Sequence, residues 1–480
     1  MMTDTRKILQ KCLDGPWNDS GVADRVLRLF PDKFRYRAGV GWMVWRDTHW
    51  QNDRSGVVIE CIAITVDYMV AATDLIAEDT LRDKWGAWCR TLGNTPKLYA
   101  VEKRLQTWPK VAVVDGWDAD GYALTHLGGT LDLKSGATRP HTPADLITHC
   151  APAREVHGKF SFAGDGISGT RWATFLDEVL PDPDLRAYTQ RAVGLSIIGR
   201  QADHVVFMAT GTGRNGKGSF FRAISNALGD YASAIPSTML IESHTNTHPT
   251  EIADLAGRRL CVSAELPTNR KLDENKVKEL TGGDKLKARF MMRDFFEFNP
   301  SHTLWICCNQ KPRITGTDNG IWRRLKVIPW LTTIAPDKVD RWLDEKLAAE
   351  SDVILTWCLE GARLYQAQGL GTCEAVDAAT DDYRAAEDTL AAALLETCDV
   401  GEQYTTTSAD LHKAISKWWQ DMGLLAAPNQ IVLGRELAKR GYDRWTNGAD
   451  RGWRGLTVKA EWRQDQQGGW SGRSNRNWQD

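Results

Sequence analysis

Long apolar runs are missing from this 480-residue chain. No stretch approaches the ~18 consecutive apolar residues of a membrane-crossing helix, and the N-terminal MMTDTRKILQKCLDG has no apolar core of secretory length. No membrane partner is expected, and the reading is of a soluble, cytoplasmic protein. Paired cysteines are missing too. The ten that occur form no C-x-x-C and no cysteine–histidine cluster at zinc-finger spacing, which argues against a disulfide scaffold or a zinc module and leaves them as reduced packing residues. Nor is there an excess of one charge. With 60 Lys+Arg against 62 Asp+Glu the formal charge is −2, so a globally basic nucleic-acid binder is excluded and any basic surface has to be local. No fixed-period repeat is present, which sets aside solenoids and propellers.

Tryptophan, by contrast, is abundant, with 21 copies expected in cores and domain interfaces. The length allows two to four domains. Period-two alternation in FRYRAGVGWMVWRDTHWQND, carried by Phe34, Tyr36, Trp42, Val44 and Arg46, predicts an antiparallel meander within residues 20–66. Leu75, Trp85, Trp88 and Leu92 recur at helical intervals and predict helix over 68–105, while short apolar pieces between Gly-Asp turns predict β structure over 107–160. Residues 170–199 read as two helices broken at Pro181-Asp182-Pro183. From 204 onward HVVFMAT, RRLCVSAEL, TLWICCN and LKVIPW read as strands of an α/β domain, and 336–396 read as helix. Residues 408–463 run helix, helix, Gly-marked hairpin, the order of a winged helix, and the polar, Gly/Ser-rich tail after 463 is expected to be disordered.

The stretch GTGRNGKGSF begins where the strand HVVFMAT ends and runs into a helical segment. Gly211, Gly216 and Lys217 satisfy G-x-x-x-x-G-K, with Gly213 and Asn215 inside the loop. Glycines keep side chains away, backbone N–H groups of the loop and of the helix start point at phosphate oxygens, and the lysine reaches the terminal phosphates. One position departs from the usual pattern. Gly218 stands where a hydroxyl ordinarily holds Mg²⁺, so that either the neighbouring Ser219 or water has to serve. Three further features occur in the order a phosphate-cleaving site needs: Glu265 at the end of a strand, to hold a metal's water shell and polarise water; Asn309 at the end of another, to orient that water; and Arg323 and Arg324 just before a third.

Taken together, GTGRNGKGSF, SAELP, VKELTGGDKLKARF, WICCNQKPRI and GIWRRLKVIPW resemble the superfamily 3 helicase module of the phage, plasmid and poxvirus primase-helicases. The likeness covers most of the chain. It implies an α/β fold: a P-loop AAA+-like ATPase core at 201–335, an N-terminal α+β helicase-associated domain at 1–200, a helical segment at 336–400, a C-terminal winged helix at 401–463 and a tail at 464–480. By resemblance Lys217 is the phosphate-binding lysine, Glu265 the metal and water carboxylate, Asn309 the sensor asparagine, and Arg324 the arginine finger acting on a neighbouring subunit, with Arg323 a second candidate. Lys278 is expected at the adjacent subunit's nucleotide. Related helicases often carry two adjacent acids on the carboxylate strand. Here Ala264 precedes Glu265, so one carboxylate has to suffice, or Asp284 or another acid joins it.

The resemblance further implies a hairpin that grips single-stranded DNA in the channel of a ring. DKLKARFMMRDFFEF fits it, with Arg293 near the tip, Lys285, Lys287 and Arg289 on the approach, and Phe290 to stack on a base. In the C-terminal segment Lys439 and Arg440 end the recognition helix, and Arg444, Arg451 and Arg454 stud the hairpin among Trp445 and Trp453. The implied activity is ATP- and Mg²⁺-dependent unwinding of single-stranded and forked DNA by a homo-oligomer, a hexamer moving 3′ to 5′, in phage or plasmid replication within a bacterial host's cytoplasm. The family's upstream primase domain is expected to be absent, so a separate primase or polymerase would be a partner. Two alternatives remain at this stage: an origin-binding replication initiator with a slow ATPase switch, and a non-helicase P-loop ATPase.

Overall fold

The computed structural model describes residues 2–155, 167–242, 249–263, 265–266, 270–314, 319–424, 427–448 and 450–463; the tail expected to be disordered and Ala264 lie outside them. The architecture is mixed α/β. The chain divides into two compact units, Met1–Pro312 with Arg323–Ala379, and Arg313–Trp322 with Thr380–Asp480.

The first unit opens with helices and a four-stranded sheet. Strands β1 (Phe34–Arg37), β2 (Gly41–Trp45) and β3 (Trp50–Asn52) form the meander, and β4 (Ala112–Val113) joins β1 in parallel, giving the order β3-β2-β1-β4. Alternation assigns the faces: Phe34, Tyr36, Trp42 and Val44 pack into a helical core, while Met43 and Trp50 meet Trp117 on the other side. The meander is shorter than its expected 20–66. Residues Val57–Ala71, VVIECIAITVDYMVA, form a helix rather than strand. Their β-branched residues are overridden because the segment is apolar nearly all round and buried among other helices, and because Asp53 caps it, accepting from the amides of Val57 at 2.9 Å and Val58 at 3.0 Å. Helices Asp79–Leu92 and Thr95–Leu105 come next, as expected. The β structure expected over 107–160 is divided: β4 joins the first sheet, and β5 (Ala123–His126), β6 (Gly129–Asp132) and β7 (Thr138–Arg139) form a small antiparallel sheet of their own.

Helices Arg171–Val179 and Pro183–Ile197 flank the proline break. Behind them lies the sheet that organises the site: β8 (Val206–Thr210), β9 (Ala232–Ile235) and β10 (Leu260–Ser263), then, after a two-stranded hairpin of β11 (Leu286–Ala288) and β12 (Phe296–Phe298), β13 (Thr303–Cys308) and β14 (Leu325–Pro329). Five of these pair in parallel in the order β14-β8-β13-β10-β9. Strand β8 is buried at every position, as the centre of a sheet covered on both faces requires. Trp305 of β13 stacks on Phe207 of β8 at 4.5 Å and donates from its indole to Ser196 at 2.8 Å, tying the sheet to helix Pro183–Ile197. That helix crosses helix Ser351–Gln368 where two glycines meet: a Cβ on Gly194 would lie 2.0 Å from the Gly361 carbonyl carbon. Nothing larger fits at this crossing.

In the second unit β15 (Cys398–Thr407), β16 (Arg444–Asn447) and β17 (Asp450–Val458) form an antiparallel sheet in the order β15-β17-β16, packed with helices Thr389–Thr397, Ser408–Asp421 and Gln430–Lys439 around Leu394, Leu411, Ile415, Leu437 and Leu456. Strand β15 is an addition to the expected pattern: it straddles the helical segment placed at 336–400 and the domain placed at 401–463. Its polar sequence, CDVGEQYTTT, carries no apolar alternation, and pairing with β17 holds it.

Candidate active site

The glycine-rich loop joins β8 to helix Lys217–Leu228. Gly213, Arg214 and Gly216 all have positive φ, at +92°, +48° and +79°. Gly216 has no room for a side chain, because a Cβ there would meet Val179 at 2.4 Å. The same holds at Gly211, where a Cβ would lie 2.4 Å from the Trp330 carbonyl oxygen. Around Gly213 and Gly218, by contrast, no atom comes within 4 Å of an added Cβ, so the loop is closed on its packed side and open on the other. The chain after β14 braces it: the Trp330 amide donates to Thr210 at 2.7 Å and the Ile334 amide to Arg214 at 2.8 Å.

Lys217 is only 7% exposed. Its Nζ donates to the Gly211 carbonyl at 3.1 Å and to Oδ1 of Asn309 at 3.2 Å, and Nδ2 of Asn309 donates to Oε1 of Glu265 at 2.7 Å. Three residues selected from the sequence thus form one hydrogen-bonded chain. They converge because β8, β13 and β10 are parallel neighbours, so that residues just past their C-terminal ends lie along one edge. Burial lowers the Lys217 pKa, partly offset by the Cys307 and Cys308 sulfurs and the Glu265 carboxylate. Burial also pushes the thiols of Cys307 and Cys308 up, to about 12 and about 11, and keeps them as packing groups. Asn215 of the loop is buried, and Ser219 is half-buried in the first turn of the helix.

Arg323 and Arg324 are not brought to this edge. They immediately precede β14, and the Arg324 carbonyl accepts from the amide of Val206, the first residue of β8, at 2.9 Å. The strands' length therefore separates them from their own chain's glycine loop, roughly 20 Å at strand rise. Arg323 is exposed and Arg324 half-buried. Lys278 and Asp284 lie towards the same far edge: helix Glu274–Leu280 ends at Thr281, whose carbonyl is 2.8 Å from Nδ1 of His204, and His204 precedes β8. Within one chain Asp284 does not join Glu265.

The β11–β12 hairpin forms as expected, with Lys287 opposite Glu297 and a turn in which Met292 takes φ +57° and the Arg293 amide donates to Phe290. Lys285, Lys287, Arg289 and Arg293 are all exposed, whereas Leu286 and Ala288 between them are buried. Phe290 is half-buried and stacks on Phe296 at 5.5 Å, which occupies one face of its ring. The exposed ring is Phe295, flanked by Lys287 at 5.2 Å and Arg289 at 4.8 Å. Sequence reasoning passed over it, because which of the neighbouring phenylalanines turns inward is set by cross-strand packing.

In the second unit Arg444, Arg451 and Arg454 are exposed along β16 and β17, with Arg444 over the Trp453 ring at 5.1 Å. Lys439 is exposed and pairs with Glu436 at 2.7 Å. Arg440 differs from them. It makes a two-pronged contact with Asp388 at 2.8 and 2.7 Å, which holds the end of one helix to the cap of another.

Two protein families match the chain: D5 N terminal like over residues 23–181, and a family of unknown function, DUF5906, over 209–324. The second span contains the glycine loop, Glu265, Asn309 and both arginines. Curated relatives include the putative helicase L207/L206 of Acanthamoeba polyphaga mimivirus, 28% identical over 287 residues, which cover 56% of this chain and 29% of that protein. The putative helicase 022R of Frog virus 3 is 28% identical over 194 residues, covering 39% and 20%. The putative primase C962R of African swine fever virus is 24% identical over 154 residues, covering 32% and 16%. Each match covers part of this chain, and the relatives' names, putative helicase and putative primase, agree with the resemblance to primase-helicases. The chain spans less than a third of the length of these viral relatives. Among solved structures, the A form apo structure of the NrS-1 C-terminal region is similar at a TM-score of 0.42 and 10% identity, covering 74% of this chain and 89% of that one, a likeness too distant to specify function. Among the described residues no helix is long and apolar enough to cross a membrane.

Proposed function

We propose that this chain is an ATP-dependent DNA helicase of superfamily 3 type, working as a ring in phage or viral replication in the host cytoplasm. The observation that carries the reading is the Lys217–Asn309–Glu265 chain at one edge of the parallel sheet, with Arg323 and Arg324 at the other. A P-loop of AAA+ type fits this layout. The residues suit a nucleoside triphosphate with Mg²⁺: Gly211, Gly213, Asn215 and Gly216 shape the loop, the first amides of helix Lys217–Leu228 face an anion, and Lys217 is pre-positioned in a partly dehydrated place. The metal's water shell would fall to Glu265 and Ser219, with the space beside Gly218 left for water. Mg²⁺ would supply charge neutralisation at the terminal phosphates. Asn309 holds Glu265 and Lys217 in register and orients a water molecule.

Arginines and Lys278 that sit a strand's length from their own loop suit action on a neighbour's, which supports a closed ring, hexameric by resemblance, moving 3′ to 5′. Within the first unit the hairpin cations Lys285, Lys287, Arg289 and Arg293 would track single-stranded phosphates. In the second, Arg444, Arg451 and Arg454, together with Lys439, would contact DNA in winged-helix fashion. A separate primase or polymerase would complete replication.

The test is hydrolysis and strand displacement on a forked duplex carrying no origin sequence. Lys217→Ala is expected to lower hydrolysis at least ~100-fold, as loss of a principal phosphate ligand does. Arg293→Ala is expected to keep its DNA-free hydrolysis and lose unwinding. Wild-type hydrolysis that is indifferent to DNA would defeat the helicase reading in favour of another P-loop ATPase.

A further inference from the structure

The turn between β1 and β2, RAGVG, lies against the β11–β12 hairpin, although more than 240 residues separate them in sequence. The turn is shaped for that approach. Gly39 and Gly41 take φ of +74° and +118°, and a Cβ on Gly39 would lie 3.2 Å from the Asp294 carbonyl oxygen and 3.3 Å from Cβ of Phe296. A Cβ on Gly41 would rest 3.6 Å from the Arg293 guanidinium. Beside the turn, the half-buried Arg37 guanidinium lies between two rings, 5.7 Å from the centre of Phe296 and 5.5 Å from that of Trp117. Burial lowers the Arg37 pKa, and the charge of Asp118, itself fixed by Thr148 through two hydrogen bonds of 2.7 Å, opposes that shift. The contact continues to the tip, because Phe296 also stacks on Phe290. Nothing in the sequence links the meander to the hairpin, and the proposed helicase function makes no use of Arg37.

We propose that the Arg37–Gly41 turn is the seat of the β11–β12 hairpin, and that Arg37 is a positioning residue that acts through Phe296, so that the N-terminal sheet and the hairpin move as one body. The inference rests on the reading of the hairpin as the DNA-contacting element. A cation clamped between two rings on separate segments holds them face to face without a covalent tie, and at Gly39, where a Cβ would stand 3.2 Å from the Asp294 carbonyl oxygen, the missing side chain lets the two backbones come close. The N-terminal region then sets where the hairpin cations stand in the channel.

The experiment is a reversible tether. In the double variant Gly39→Cys/Phe296→Cys the Cβ positions are 3.3 Å apart, near the ~3.8 Å typical of disulfides, so mild oxidation is expected to link them, as peptide mapping would show. If seat and hairpin travel together, the oxidised and reduced forms unwind forked DNA at rates within about threefold of one another. A larger loss on oxidation, restored by reductant, shows that they must part during the cycle and overturns the proposal. In parallel, Arg37→Ala is expected to raise the DNA concentration for half-maximal stimulation of hydrolysis about fivefold or more with little change in the stimulated maximum, and Phe296→Ala on that background adds little. An unchanged DNA dependence in Arg37→Ala also overturns it. Wild-type protein that fails to bind single-stranded DNA would instead sink the helicase reading, while disulfide formation would still report the seat.

Discussion

Arg25 is fully buried, and no pattern in the sequence marks it. Its guanidinium donates to the carbonyls of Cys12 at 2.6 Å, Pro16 at 2.9 Å and Gly15 at 3.0 Å, and lies over the rings of Trp85 and Trp88. Burial and the like charge of Arg28 lower its pKa, yet the fork of donors satisfies three loop carbonyls at once. Arg25→Ala is therefore expected to destabilise the first unit by about 2–4 kcal/mol, read as a lower urea midpoint, and Arg25→Lys to recover little, since one ammonium cannot reach three divergent carbonyls. Lys217 shows a different balance: its ammonium meets two acceptors, the Gly211 carbonyl and Asn309, and burial lowers its pKa. The lysine could be read from the sequence because glycines with positive φ and a helix start are local requirements. Arg25 could not, because its role depends on carbonyls brought to it by folding.

Among the elements, the second unit separates two kinds of arginine that look alike in sequence. Arg440 joins helix Gln430–Lys439 to Asp388 at the start of helix Thr389–Thr397, whereas Arg451 and Arg454 face solvent from β17. Burial alone would raise the Asp388 carboxyl, but hydrogen bonds from Arg440 and the Ala391 amide, with the charges of Arg440 and Arg384, hold it below its ordinary value. With 24% and 30% of the two side chains exposed, water screens part of the attraction, and Arg440→Ala is expected to cost about 1–2 kcal/mol at neutral pH. A carboxylate with a depressed folded pKa stabilises fully above the ordinary aspartate value near ~4, and this contribution disappears as pH falls through the lower folded value. The gap in melting temperature between wild type and Arg440→Ala should thus persist at pH 7 and close at about pH 2. Arg451→Ala and Arg454→Ala should instead leave the melting temperature alone and weaken DNA binding. A comparable ambiguity governed Val57–Ala71 and β15, where burial and a partner strand outweighed local preference.

For the whole molecule, the decisive feature is the placement of the glycine loop and of Arg323 and Arg324 at opposite ends of the same strands. A chain built this way cannot bring its arginines to its own loop without losing β14. If they act on a neighbour, subunits of Lys217→Ala and of Arg324→Ala, each inactive alone, should regain part of the hydrolysis when mixed, because some interfaces then pair an intact loop with an intact arginine. No recovery across mixing ratios would count against action in trans, and full activity in a protein that sediments as a monomer would do so more directly.

The sequence by itself determined the features that depend on neighbours along the chain: the loop's glycines and lysine, the buried strands that precede Glu265 and Asn309, the helix break at Pro181–Pro183, and a hairpin between the last strands. These arise from backbone conformation and from the spacing of apolar residues, which act over a few residues. Only the tertiary structure decided which ends of those strands share an edge, that Phe295 rather than Phe290 is exposed, that Arg440 is spent on Asp388, and that RAGVG receives the hairpin. Each depends on the order of strands in a sheet and on contacts between segments tens to hundreds of residues apart, and no local preference carries that information.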